Sequence, residues 1–158
     1  MCKTKRKKWV DDIMIKIICH GKIKEKYMDE LIKDYLKRIS RYHKIEIIEL
    51  KDYDNLEQEK TIIEKNIGNQ DYVIAMDIDG KIHNSEELAE LIDSTFNHHS
   101  TITFIIGSSY GLHQDIKDRA DLRLSFSKLT FPHGLFRGIL LEQIYRAFKI
   151  LNNESYHK

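Results

Sequence analysis

Short apolar runs alternate with amphipathic stretches five times along this chain, and that alternation restricts the fold more than any other feature. Residues 13–19 (IMIKIIC) are β-branched and apolar, the pattern of a strand buried on both faces. Residues 44–50 (KIEIIEL), 72–77 (YVIAMD), 101–106 (TITFII) and 122–126 (LRLSF) read as four further strands. Between the first two, residues 24–39 repeat Tyr27, Met28, Leu31, Ile32, Tyr35, Leu36 and Ile39 every three to four positions, the spacing of a helix with one apolar stripe. Residues 55–67 form a more polar helix that Gly68-Asn69 ends. A turn is expected at Asp79-Gly80, and Asn84 with Glu87 suggests a capping box for a helix burying Leu88, Leu91, Ile92 and Phe96. A short helix carries Leu112, Ile116 and Ala120, and a long one covers residues 135–151.

Five strands separated by five helices predict one α/β domain over residues 13–158, a mainly parallel sheet with helices on both faces. A length of 158 residues suits a single compact core. The last helix carries Phe136, Ile139, Leu140, Ile144, Tyr145, Phe148 and Leu151, an apolar surface wider than the ~100° stripe that one sheet face requires. Such a helix is either central in the fold or shared with a second subunit, and a homodimer is expected. No apolar run approaches the ~18–20 residues of a membrane span, so no membrane partner is expected. Cys2 and Cys19 make neither a disulfide framework nor a CxxC pair, which points to a reducing, cytoplasmic setting.

A net charge of +1 conceals a marked asymmetry: residues 1–45 sum to +8, residues 46–93 to −10 and residues 117–158 to +4. Two differently charged faces would follow, one of them suited to a polyanion; charges intermixed by folding are the plainer reading. Residues 1–12 begin MCKTKRKK, five cations with no acid, and read as a basic, disordered extension rather than a secretory signal, since no apolar h-region follows.

In parallel sheets, ligands bind beyond the carboxyl ends of the strands. Three segments fall there: residues 76–80, 107–111 and 127–134. The GSSYG loop at 107–111 is neither the GxGxxG nor the GxxxxGK[ST] phosphate fingerprint, although Gly107 directly after a strand permits close approach of a ligand to the backbone. Residues 125–133 (SFSKLTFPH) combine hydroxyls, aromatics, Lys128 and the chain's one proline at a helix entry. Such a loop can present amides and carbonyls to a purine edge, or it can be a helix entry with Phe131 stapled to the helix. The tail Tyr156-His157-Lys158 offers a ring to stack on an extruded base, or it frays. His98-His99 lack metal-ligand spacing, and no metal is expected.

The segments FIIGSSYGL (104–112), LSFSKLTFPH (124–133), EQIYRAFKI (142–150) and the terminal YHK, together with GKIKEKY (21–27), closely resemble the RlmH family. These are small bacterial methyltransferases of the SPOUT class that act on pseudouridine in large-subunit ribosomal RNA. The resemblance runs from about Met14 to Lys158 and implies S-adenosylmethionine as methyl donor, a homodimer, ribosomal RNA as partner and a deep C-terminal trefoil knot. Periodicity alone leads to no knot, which chain topology disfavours by default. Carried over position by position, the family's cofactor pocket falls on Met76, Gly107, Phe126, Ser127, Lys128, Leu129, Thr130 and Phe131. The chain departs from the family pattern at Gly107-Ser108, where two glycines are common, and at Met76, where leucine is common.

The chemistry so implied is methyl transfer to N3 of a pseudouridine, on the ribosome. A protein performing it must align the methyl and ring nitrogen ~3–3.5 Å apart, accept the N3 proton and stabilise charge on the flanking carbonyls. His133 and His157 are the candidate proton acceptors. Arg146 and Arg137 are candidates to stabilise that charge or hold phosphates, and Tyr156 to stack on the base. Arg146 has a competing role in a salt bridge to Glu142, four residues earlier. The alternative to an enzyme is a nucleotide-binding or regulatory module on a flavodoxin-like sheet.

Overall fold

A computed structural model describes residues 14–158; the basic extension expected at residues 1–12 lies outside them. The five expected strands form as β1 (Met14–His20), β2 (Lys44–Leu50), β3 (Tyr72–Ile82), β4 (Thr101–Ile105) and β5 (Leu122–Ser125). The helices are α1 (Lys26–Ile39), α2 (Leu56–Lys65), α3 (Ser85–Thr95), α4 (Gln114–Arg119) and α5 (His133–Leu151). All five strands pair in parallel, in the order β2-β1-β4-β3-β5. Parallel neighbours require crossovers, which α1 to α4 supply, and α5 follows the last strand.

Alternation along each strand divides the core in two. Ile15, Ile17 and Cys19 of β1, with Ile102 and Phe104 of β4, face a layer containing α1, α3 and α5. Ile18, Val73, Ala75 and Ile105 face Ile63 of α2 and Ile116 of α4. Burial pushes the Cys19 thiol up to about 12, so it stays a small neutral hydrophobe.

One expectation needs correction. The signal at Asp79-Gly80 is not a chain reversal: β3 continues to Ile82, and Met76 and Lys81 both oppose Leu124 of β5, so the intervening residues bulge out of the ladder. Gly80 is required there because a Cβ would lie 2.7 Å from the Arg123 carbonyl carbon. Much of the broad apolar face of α5 is buried within one protomer: Leu140, Leu141, Ile144, Tyr145 and Phe148 lie in the α1–α3–α5 layer, while Phe136, Ile139 and Leu151 are half-buried. Tyr145 packs its ring against Tyr35 of α1, and Phe148 stacks on Tyr42. No helix among the described residues is long and apolar enough to cross a membrane.

Candidate active site

The carboxyl ends of β3, β4 and β5 surround a cavity of about 260 Å³. Met76, Asp77 and Ile78 line one side, Ile106, Gly107 and Ser108 a second, and Phe126, Ser127, Leu129, Thr130 and Phe131 a third. His133 and Phe136 close it from the first turn of α5. The three segments singled out by their position at the strand ends therefore converge on one cleft. Lys128 is the exception within its run: it is exposed and does not line the cavity.

Local chemistry shapes each wall. Ser127 accepts from the Leu129 amide through Oγ (2.9 Å), and Ser125 Oγ donates to the Ser127 carbonyl (2.9 Å), a pair of hydroxyl turns that curls the loop. Pro132 is the N-cap of α5 rather than its first residue, and Phe131 stacks on Phe136 with ring centroids 6.3 Å apart. The helix-entry staple and the cleft wall are thus the same residues. At Gly107 a Cβ would stand 2.6 Å from the Gly111 carbonyl carbon, so the turn closes only over a glycine. That turn is held by the Gly111 amide on the Ser108 carbonyl (2.9 Å), with Gly111 at φ +79°.

Asp77 is a cleft residue that sequence reasoning passed over, although it follows Met76 directly. Its buried carboxylate accepts from the Asp79 amide (3.1 Å), and Lys117 Nζ lies 3.5 Å away. Nothing in its local pattern separates it from the other acids of the middle segment; only the bulge in β3 turns it inward.

A second cluster forms where the tail folds back on α5. Glu142 Oε1 accepts from Arg146 Nε (3.1 Å) and from the Tyr156 hydroxyl (3.0 Å). The Arg146 guanidinium lies 4.8 Å from the centre of the Tyr156 ring and also reaches His157 Nδ1 at 3.1 Å. His157 Nε2 meets Glu86 of α3 at 2.8 Å. Burial first, then hydrogen bonds with Tyr35 and Glu142, raise the Tyr156 phenol above its ordinary range, so it stays protonated. Glu86 is held below its ordinary value by its own amide at the helix start and then by His157. The salt bridge to Glu142 and the contacts to the tail are therefore made by Arg146 at once.

These two clusters do not meet within one protomer. Arg146 lies thirteen residues beyond His133 on α5, roughly 20 Å along its axis, and no tail residue lines the cavity. Arg137 also departs from expectation. It is 2% exposed, with Nη1 donating to Glu49 (2.9 Å) and Nη2 to the carbonyls of His20 (3.1 Å) and Gly21 (3.2 Å). It ties α5 to the ends of β1 and β2, and its burial keeps the guanidinium from being presented to a phosphate or a base. Among the described residues no group of His, Cys, Asp and Glu is arranged to hold a metal ion.

The cleft suits an adenosine-bearing cofactor: its walls are mainly apolar, and Gly107 and Gly111 of the tight turn are among the residues that line it. The chain is 50% identical over 157 residues to a protein from Streptococcus uberis named ribosomal RNA large subunit methyltransferase H, covering 91% of this chain and 99% of the relative. Proteins of the same name from Clostridium novyi (50% identical; 91% and 99% covered) and Caldicellulosiruptor saccharolyticus (48% identical; 92% and 100% covered) are similarly close. In fold, the chain is similar to a structure named "a probable methylase family protein" from Haemophilus influenzae, with a TM-score of 0.54 at 14% identity over 93% of this chain and 70% of that one. The family described as "Predicted SPOUT methyltransferase" matches residues 13–157, and with relatives at this level of identity the chain belongs to the SPOUT methyltransferases, in the branch that contains the large-subunit methyltransferase H proteins.

Proposed function

We propose that this protein is an S-adenosylmethionine-dependent methyltransferase that modifies N3 of a pseudouridine in large-subunit ribosomal RNA, on assembled ribosomes, as a homodimer with no metal. The observation that carries the reading is the cleft at the ends of β3, β4 and β5, built on a turn that tolerates only glycine at 107. The relatives' shared name supplies the RNA.

Met76, Gly107 and the run of Phe126, Ser127, Leu129, Thr130 and Phe131 would hold the cofactor, with Lys128 on the outer side of the loop. When bound, S-adenosylmethionine supplies an electrophilic sulfonium methyl, so the protein need not generate an electrophile. The chain's own residues have to exclude water, orient the base and take its N3 proton. His133, at the mouth of the cleft, is one proton acceptor. Arg146, His157 and Tyr156 form a ready-made cation, imidazole and aromatic ring for holding a pyrimidine and the charge that develops on its carbonyls. Their distance from the cleft on the same protomer argues that the cleft of one subunit works with the tail cluster of another. Exposed Tyr27 and Leu31 of α1 and Leu135 of α5 give such a dimer an apolar face.

Incubation with methyl-labelled S-adenosylmethionine and large ribosomal subunits lacking the modification should place label in one ribosomal nucleoside, identified by mass spectrometry as N3-methylpseudouridine. Absence of transfer by folded protein overturns the reading. Co-expressed Gly107→Val and His157→Ala chains should recover about a quarter of wild-type activity if cleft and tail act across the dimer, since about half of the dimers are mixed and each of these carries one intact site in two. No recovery would place both in the same subunit.

A further inference from the structure

Helix α2 lies on the sheet face opposite α5, and its first turns make three side-chain contacts with the segment that bears the glycine turn. Glu57 meets His113 Nε2 at 2.6 Å, Lys60 Nζ donates to Asp115 at 2.6 Å, and Glu59 Oε2 accepts from the Ser108 hydroxyl at 2.7 Å. The His113 ring is fixed in turn, because its Nδ1 accepts from the Asp115 amide (3.0 Å), which leaves Nε2–H for Glu57. The outer two pairs are at the surface. Glu59 differs: it is 2% exposed, and its Oε1 is buried with no hydrogen-bond partner among the described residues.

A carboxylate buried on a single hydroxyl is a costly arrangement, and a fold concerned only with stability would do better with an apolar residue. What Glu59 holds is a shared hinge pin. The Ser108 hydroxyl donates to Glu59 while accepting from the Tyr110 amide (3.2 Å), and the Ser108 carbonyl accepts from Gly111. The hydroxyl and the carbonyl of Ser108 are thereby engaged in shaping the turn, and Ser108 and Gly111 line the cleft. Glu59 itself does not line it.

We propose that Glu59 is a positioning residue of the cofactor cleft, acting through Ser108 to hold the 107–111 turn in the shape that accepts the cofactor; this rests on the reading of the cleft as an S-adenosylmethionine site. The full-length chain and its Glu59→Ala, Glu59→Gln and Ser108→Ala variants test it. Titration calorimetry with S-adenosylmethionine and S-adenosylhomocysteine gives affinity, scanning calorimetry gives Tm, and hydrogen exchange of amides 107–112 without ligand reports the turn directly. Glu59→Ala and Ser108→Ala should each weaken binding about tenfold and speed exchange at 107–112 by about as much, since both remove the same hydrogen bond. Glu59→Gln should stay within about twofold of wild type, because its amide oxygen still accepts from Ser108. Should Glu59→Ala fail to fold, Ser108→Ala carries the test.

Exchange at 107–112 unchanged in folded Ser108→Ala overturns the brace, whatever binds in the cleft. Faster exchange with unaltered affinity overturns the positioning role. A Glu59→Gln protein as impaired as Glu59→Ala does the same, since it would mean that the charge and not the hydrogen bond matters. Wild-type protein that takes up neither ligand removes the cofactor reading itself, which the exchange data identify separately.

Discussion

Arg146 and His157 are hydrogen-bonded, Nη1 to Nδ1, at 3.1 Å, and this contact determines where the proton of the imidazole resides. A guanidinium has donors only, so Nδ1 accepts and the ring proton occupies Nε2, facing Glu86. The tail is held by a closed circuit: Ser85 donates to Gln143, Gln143 to Glu142, and Arg146 joins Glu142 to His157, which returns to Glu86 beside Ser85.

His157→Ala opens that circuit without touching the cleft. Methyl transfer to ribosomal subunits should fall at least about tenfold, the loss of one oriented hydrogen-bonding group in a transition state. Affinity for S-adenosylhomocysteine, measured by calorimetry, should remain within about twofold. Equal turnover at saturating ribosomes would remove His157 from the reaction.

Gly107 and Gly111 should fail for different reasons. An added Cβ at Gly107 meets the Gly111 main chain at 2.6 Å, so Gly107→Ala forces the turn open, costing about 1–3 kcal/mol and most of the cofactor affinity. At Gly111 nothing lies within 4 Å of an added Cβ, and the obstacle is the φ of +79° alone. Gly111→Ala should cost about 1 kcal/mol, and Gly111→Asn less, because Asn tolerates the left-handed region. Urea unfolding of the three variants checks the order.

Periodicity made the architecture legible because a strand buried on two faces and a helix buried on one leave different repeats. Residues 44–50 coincide with β2 as read, and Asn84 accepts from the Glu87 amide as a cap should. Glycine is where reading by local signal failed. The Asp79-Gly80 pair resembles a turn, yet Gly80 is there to let β3 pass against the Arg123 backbone, a requirement set by a strand forty residues later. The partners of Arg137 are equally remote: the carbonyls it satisfies lie 116 and 117 positions away, so its helical register could not separate a surface cation from a buried strut. The separation between cleft and tail followed only once α5 had a length and a direction.

Arg137→Ala should be the most damaging single change on α5. It leaves the buried His20 carbonyl and the half-buried Gly21 carbonyl without this donor and a void between α5 and β1, together about 2–4 kcal/mol. Glu49→Ala removes only the other half of the ion pair, and the Glu49 side chain is 41% exposed, so its loss should cost under about 1 kcal/mol. Chemical denaturation should therefore separate the two partners of one salt bridge by a wide margin. Equal losses would mean that the charge pair, and not the carbonyls, holds Arg137.

His43 makes the protein's stability sensitive to mild acid. Its ring lies between Phe96 and Phe148, with centroids 5.1 and 4.6 Å away, and burial lowers its pKa below the ordinary 6.5. Above pH 6.5 the ring is neutral in folded and unfolded chains alike, and the stacking contributes in full. As pH falls below that value the unfolded chain takes up a proton that the folded one resists, so stability drains away until the lower folded pKa is passed. His43→Phe keeps an aromatic ring between the same two neighbours and removes the proton site. Thermal unfolding from pH 7.5 to 5 should show a shallower decline in Tm for His43→Phe than for wild type, with the two curves closest together at the acid end if the substituted ring packs slightly less well at neutral pH. Parallel curves would mean that His43 is not the residue being titrated.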